Sequence, residues 1–227
     1  RRAEVLEPLA NELDARSVVV DLADRAAVDA LAGQAAETDI LVANAALPAT
    51  GTLDSFSIEE IDRALDVNLR APIVLARALS PRMIEQRKGQ LVFISSLSGK
   101  AATSRTALYN TSKFGLRGFS TALRGDLHGT GVGVSAIFPG FIRDAGMFAD
   151  ADVKLPPGIG TKTPEDVAAA VVKAIERDRA EIDVAPVMLR ASTVLASLAP
   201  EFAAKMGRRM GSEDITRQMH EGQREKR

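Results

Sequence analysis

Tyr109, the only tyrosine in the 227-residue chain, stands four residues before Lys113 and thirteen after Ser96. On a helix, positions i and i+4 share a face, so the Lys113 ammonium is expected one turn from the phenol. A nearby positive charge favours the phenolate and lowers a tyrosine pKa from its usual ~10. That makes a phenol a useful acid or base near neutral pH. Ser96, with Ser95, closes the apolar run Leu91-Val92-Phe93-Ile94. Ligands bind beyond the carboxyl ends of strands in parallel sheets, so a hydroxyl there can donate to a substrate carbonyl and orient it. The implied chemistry is proton transfer at a carbonyl, with Tyr109 as the acid in one direction and the base in the other. Taken singly, the three read as an amphipathic helix-start tyrosine, a solvated lysine and a turn serine. Their joint spacing favours the site.

The elements that must hold these residues alternate. Apolar residues at Val5, Leu6, Leu9 and Leu13 mark a helix from Glu4 to Leu13. Ser17–Val20 and Asp39–Val42 read as strands, with a helix between them capped by Asp24 and running to about Glu37. Ser57 and Glu60 form a capping-box pattern for a helix from Ile58 to about Asn68. Pro72 permits another, ending before Gly89. Further strands are expected at Leu91–Ile94, Val132–Phe138 and Glu181–Ala185, with helices from Thr106 to about His128 and from Thr163-Pro164-Glu165. Leu189 to about Met206 looks helical, and Gly207–Arg227 looks polar and mobile. Short, nearly all-apolar strands alternating with helices predict a parallel sheet covered on both faces. We draw two regions: an α/β domain over 1–187 and a helical extension with a polar tail over 188–227.

Composition narrows the rest. Net charge is −1, which argues for no general nucleic-acid or anionic-membrane surface. There is no cysteine, so disulfides and thiolate metal sites are excluded. His128 and His220 have no ligand-spaced partner; no metal is expected. No apolar run reaches the ~18 residues of a membrane span, and no signal peptide is visible. A cytoplasmic protein is the expectation.

The ordered set Asp21, Asn44-Ala45-Ala46, Asn68, Ser96, Tyr109-x-x-x-Lys113 and Pro139-Gly140 resembles the classical short-chain dehydrogenase/reductases from Arg1 to about Pro186. The resemblance implies a Rossmann-like doubly wound fold and an NAD(P)(H)-dependent oxidoreductase interconverting a carbonyl and an alcohol. It implies that Lys113 also bonds the nicotinamide ribose. It implies that Asn68 distorts its helix and holds a water leading from Lys113 to solvent. The spacing picks Ser96 over Ser95 as the catalytic serine. Asn44 and Ala45 would line the cofactor, Asp21 and the neighbouring Leu22 would meet the adenine end, and Pro139, Gly140 and Ile142 the nicotinamide end. Ala46 and Asp144 depart from the family's usual glycine and threonine. An ionised carboxylate cannot donate a hydrogen bond, and Arg143 is placed to neutralise it.

The chain opens on Arg1-Arg2-Ala3 with no G-x-x-x-G-x-G turn nearby. It reads as lacking the family's first strand-helix-strand unit, roughly 35–45 residues. Arg1 and Arg2 would follow that unit, and the arginine fork suits the ribose 2′-phosphate of NADP, favouring NADP(H) over NAD(H). Apolar residues on the two helices around Ile73–Met83 and Leu108–Leu127 suggest a homodimer or homotetramer. The substrate would be a small, fairly apolar carbonyl/alcohol shaped by Leu97–Ala107, the loop after Gly140 and the extension. Two rivals stand beside this reading: a non-catalytic dinucleotide-binding or scaffold protein, and a sugar-nucleotide epimerase or dehydratase reusing the Tyr–Lys pair.

Overall fold

The computed structural model describes residues 3–156, 159–209 and 211–223. Its centre is a four-stranded, all-parallel sheet in the order β1 (Ile40–Ala43), β2 (Gly89–Ile94), β3 (Val132–Pro139) and β4 (Glu181–Val184). Helices α1 (Ala3–Glu12) and α2 (Arg25–Gln34) precede the sheet. Between β1 and β2 lie α3 (Ile58–Leu65) and α4 (Ala71–Glu85). Helix α5 (Ala107–Asp126) joins β2 to β3, and α6 (Pro164–Glu176) joins β3 to β4. Then come α7 (Val187–Leu198), α8 (Pro200–Arg209) and α9 (Ser212–Gln223).

Local chemistry sets the helix starts. Asp24 accepts from the Ala27 N–H at 3.1 Å. Ser57 and Glu60 complete their box at 3.2 and 2.8 Å, and Thr163 does the same with Asp166 ahead of a first-turn proline. Each cap satisfies an N–H that the helix itself cannot.

Alternation along β2 builds the two core layers. Leu91 and Phe93 pack against α4 and α5 with Leu79, Met83 and Leu116. Val92 and Ile94 pack against α6 with Ala170, Ala174 and Ile137. Period-two side-chain alternation thus covers both faces, as a parallel sheet requires.

Several expectations are corrected. Ser17–Val20 is not a strand and takes no part in the sheet; β-branched propensity expresses itself only where a neighbouring strand supplies the ladder. The helix from Ile58 does not end near Asn68. It passes through a π turn at Asp66–Arg70 straight into α4. The single helix expected from Leu189 to Met206 is two, interrupted at Ala199-Pro200, where proline begins a new first turn. The mobile tail is largely α9, which returns to the α/β part: His220 Nδ1 lies 2.8 Å from the Thr50 carbonyl and Gln223 Nε2 donates to the Met147 carbonyl at 2.8 Å. The stripe offered for self-association belongs mostly to the monomer core. Leu75, Leu79, Met83, Leu108, Leu116 and Leu127 are buried, and Val74, Phe119 and Leu123 pack on the same clusters. No described helix is long and apolar enough to cross a membrane.

Candidate active site

Three of the sequence-predicted positions follow strand ends at the same edge of the sheet: Asn44 after β1, Ser96 after β2 and Gly140 after β3. Tyr109 and Lys113 lie in the first turns of α5, which follows the carboxyl end of β2 and runs back toward the start of the parallel strand β3. The Ser96 hydroxyl accepts from the Ser98 N–H at 3.1 Å and donates to the Pro139 carbonyl at 3.4 Å, so it is held between two strand ends. Ser95 turns the other way. It is buried and its Oγ donates to the Lys113 carbonyl at 3.1 Å, tying β2 to α5.

Lys113 is 2% exposed. Its Nζ donates to the Ile94 carbonyl at 3.0 Å and lies 5.7 Å from the centre of the Tyr109 ring. Burial pulls the Lys113 pKa down to about 8. Burial pushes the Tyr109 phenol up to about 12, and its interaction with Ser96 offsets only part of that rise. The expected lowering of the tyrosine is therefore corrected. Burial disfavours the charged phenolate and is the larger cause, so the phenol stands above its ordinary value rather than below it.

Asn68 is buried inside the π turn, and its side chain bonds the backbone of Leu47 twice. Its Oδ1 accepts from the Leu47 N–H at 2.6 Å and its Nδ2 donates to the Leu47 carbonyl at 2.9 Å. That double bond to one residue fixes the loop following Asn44-Ala45-Ala46. A π turn inserts a residue into the ladder, here bonding the Ala71 N–H to the Asp66 carbonyl.

The remaining predicted residues are more scattered. Asn44 and Ala45 are exposed at the end of β1. The Asp21 carboxylate is paired with Arg63 at 2.9 Å, and Leu22 packs against the cluster of Val28, Ala32 and Leu75. Gly140 donates to the Val184 carbonyl at 3.0 Å, and an added Cβ would meet Ala185 at 3.0 Å and Leu97 at 3.3 Å. Ile142 bridges to Lys162. Asp144 takes a left-handed φ of 72° and is paired with Arg143 at 3.3 Å. Arg1 lies outside the described residues.

Two groups escaped sequence reasoning. Asn110, next to Tyr109, is buried; it donates to the Ser98 carbonyl at 2.6 Å and the Ala101 carbonyl at 3.1 Å, and accepts from Thr106. It ties the first turn of α5 to the segment after Ser96. A buried asparagine beside the tyrosine was the available signal. The second group is His220 and Gln223 of α9, which grip the loops at Thr50 and Met147. Ala49 packs with Leu108 and Tyr109, so the Thr50 grip lies one residue from the tyrosine's own cluster.

A parallel sheet flanked by helices, with Ser, Tyr and Lys gathered at its carboxyl edge, defines a Rossmann-like α/β protein. Comparison with known proteins agrees. The model of the short chain dehydrogenase family matches residues 1–154, and the chain belongs to that family. A ketoacyl reductase, HetN, from Nostoc is 36% identical over 170 residues, covering 73% of this chain and 59% of that protein. The structure is similar to a short-chain dehydrogenase from Sphingobium yanoikuyae in complex with NADPH, with a TM-score of 0.73 and 24% identity, covering 87% of this chain and 79% of that one. It is also similar to the closed form of a serine dehydrogenase complexed with NADP+, with a TM-score of 0.70 and 28% identity, covering 83% of each chain. The chain spans about 60% of the length of the first curated relatives it matches.

Proposed function

We propose that the protein is an NAD(P)(H)-dependent oxidoreductase that interconverts a carbonyl and an alcohol, with Tyr109 as the general acid/base. The observation that carries this reading is the convergence of Ser96 and Lys113 on Tyr109 at the carboxyl edge of the sheet.

In reduction, Ser96 Oγ orients the substrate carbonyl and Tyr109 Oη gives it a proton. A phenol pushed up by burial to about 12 holds the proton that it donates in this step. In oxidation the phenol must lose it, and the buried Lys113 ammonium then stabilises the phenolate. Asn68 and Asn110 hold the flanking loops so that Ser96 and Tyr109 keep their relative placement.

The residues of the nicotinamide end fit a dinucleotide. Asn44 and Ala45 present a small, exposed strand end, and Gly140 stands where a Cβ would press on Ala185 and Leu97. Bound there, the cofactor supplies the hydride. Asn44, Ala45, Pro139, Gly140 and Ile142 are assigned to that end, with Asp21 and Leu22 toward the adenine. A preference for NADP(H) rests on Arg1. The substrate is a small carbonyl compound, bordered by Leu97–Ala107 and the loop after Gly140.

In a protein that carries the family's first strand-helix-strand unit, Tyr109→Phe tests the reading: carbonyl reduction should fall by ~10²–10⁴-fold while NADPH binding persists. Undiminished reduction would remove Tyr109 from the mechanism.

A further inference from the structure

Helices α7 and α8 carry the largest concentration of exposed apolar side chains at the β4 end of the molecule: Val187, Met188, Val194, Leu198, Phe202 and Met206. Val187, Val194 and Leu198 recur at the spacing of one helical stripe, with Ala191 completing it. The same two helices bury almost nothing. Thr193 is the only buried residue of α7, and α8 has none. A ten-residue helix is marginal in water on its own; α8 rests on α7 and α9 and still leaves Phe202 55% exposed.

Charge identifies the surface. Residues 187–209 hold Arg190, Lys205, Arg208 and Arg209 against the single carboxylate Glu201, a local charge of +3 in a chain of net −1. Arg190 approaches Asp183 at 4.0 Å, whereas Lys205, Arg208 and Arg209 have no ion-pair partner among the described residues. An apolar helical stripe bordered by unpaired cations is the pattern of helices that lie in a lipid interface. A second copy of this chain fits less well. A two-fold contact carries the same patch on both sides, so it would enclose the unpaired cations of both copies with one glutamate per copy to offset them.

We propose that α7 and α8 form a peripheral docking face for anionic lipid bilayers. The apolar stripe enters the headgroup boundary, and Lys205, Arg208 and Arg209 meet lipid phosphates. The face lies beside the segment after Ser96, since Ser197 Oγ donates to the Lys100 carbonyl at 3.4 Å. The inference does not depend on the reading of Tyr109.

The test is co-sedimentation of the full chain with vesicles of phosphatidylcholine alone and of phosphatidylcholine with an equal amount of phosphatidylglycerol. Binding to the anionic vesicles should be stronger by about tenfold or more and should weaken with added salt. The double variant Leu198→Asp/Phe202→Asp should lose it. Both residues are exposed, at 80% and 55%, so the fold survives, as an unchanged circular dichroism melt would verify. Lys205→Gln/Arg208→Gln/Arg209→Gln should bind both vesicle types alike. Equal binding by parent and double variant, or no sedimentation with anionic vesicles, overturns the proposal. So does a double variant that turns a dimer into a monomer by light scattering while the parent ignores vesicles, because a second copy then covers the face.

Discussion

The centre of this molecule buries polar groups, and its two margins expose apolar ones. At the centre, Asn68, Ser95, Asn110, Ser112 and Lys113 are all below a tenth exposed. At one margin Val5, Leu9, Leu13, Ile40 and Val42 face outward; at the other Val187, Met188, Leu198 and Phe202 do. Ordinary folding does the reverse, so both departures carry information. A buried polar group costs stability unless it is bonded; Asn68, Ser95, Asn110 and Lys113 bond backbone of other segments, and Ser112 bonds the Tyr109 carbonyl within α5. That expense marks a site. An exposed apolar stripe has no internal compensation, and it marks a surface for contact.

The sharpest way to break the central half of this contrast is Tyr109→Phe. Removing one oxygen leaves the packing with Ala49 and Leu108 in place but removes the transferable proton. The expected fall in turnover of ~10²–10⁴-fold, with melting temperature little changed, would separate chemistry from scaffold.

Lys113 puts burial and function in opposition. Its folded pKa of about 8 lies below the ordinary lysine value of 10.5. Below pH 8 both folded and unfolded chains hold the proton, and the folded state carries the full cost of burying the charge. Between about pH 8 and 10.5 the folded state releases the proton first, so stability rises with pH. Lys113→Met should therefore raise stability at pH 7 by on the order of 1–3 kcal/mol, less the lost bond to Ile94. That gain should shrink as pH climbs through this window. The same variant should lose activity. Urea melts at pH 7 and pH 10 measure the first effect; a destabilised variant at pH 7 would mean that the Ile94 bond, not desolvation, dominates.

Gly222 probes the join between centre and tail. A Cβ there would meet the Ala151 backbone at 2.7 Å. Gly222→Ala should loosen α9 at a cost of about 1–2 kcal/mol confined to that helix. Hydrogen exchange should quicken at 147–155 and 212–223 and not in β2 or β3. Unchanged exchange would show that the docking tolerates the methyl group.

What could be read in the sequence was what depends on neighbours along the chain. The caps at Asp24, Ser57 and Thr163, the strand runs and the Tyr109–Lys113 turn are local, and their signals are local too. What could not be read depends on partners distant in sequence. Ser17–Val20 has strand propensity, yet it forms no strand in the structure. The α9 segment lacks a long apolar stripe because it docks partly through Gln218, His220 and Gln223 onto backbone groups. Leu79 and Leu116 suggested an interface stripe, and the structure packs them on the sheet beneath. The direction of the Tyr109 shift escaped for the same reason. A four-residue spacing tells that a cation is near, not that its hydrogen bond goes to Ile94 or how much water is excluded.

The smallest effect tests the margins. Val42 and Val92 are register partners on adjacent strands. Helix α6 buries Val92 completely, but Val42 is 42% exposed. The residue type and the strand row are the same; only the covering layer differs. Val92→Ala should cost about 2 kcal/mol through lost burial and an unfilled space. Val42→Ala should change stability by no more than about 0.5 kcal/mol, as surface substitutions do. Denaturant melts of the two variants against the parent give both numbers. A cost at Val42 close to that at Val92 would mean that something covers β1 in solution, and the margin at Ile40 and Val42 would then be an occupied surface rather than an open one.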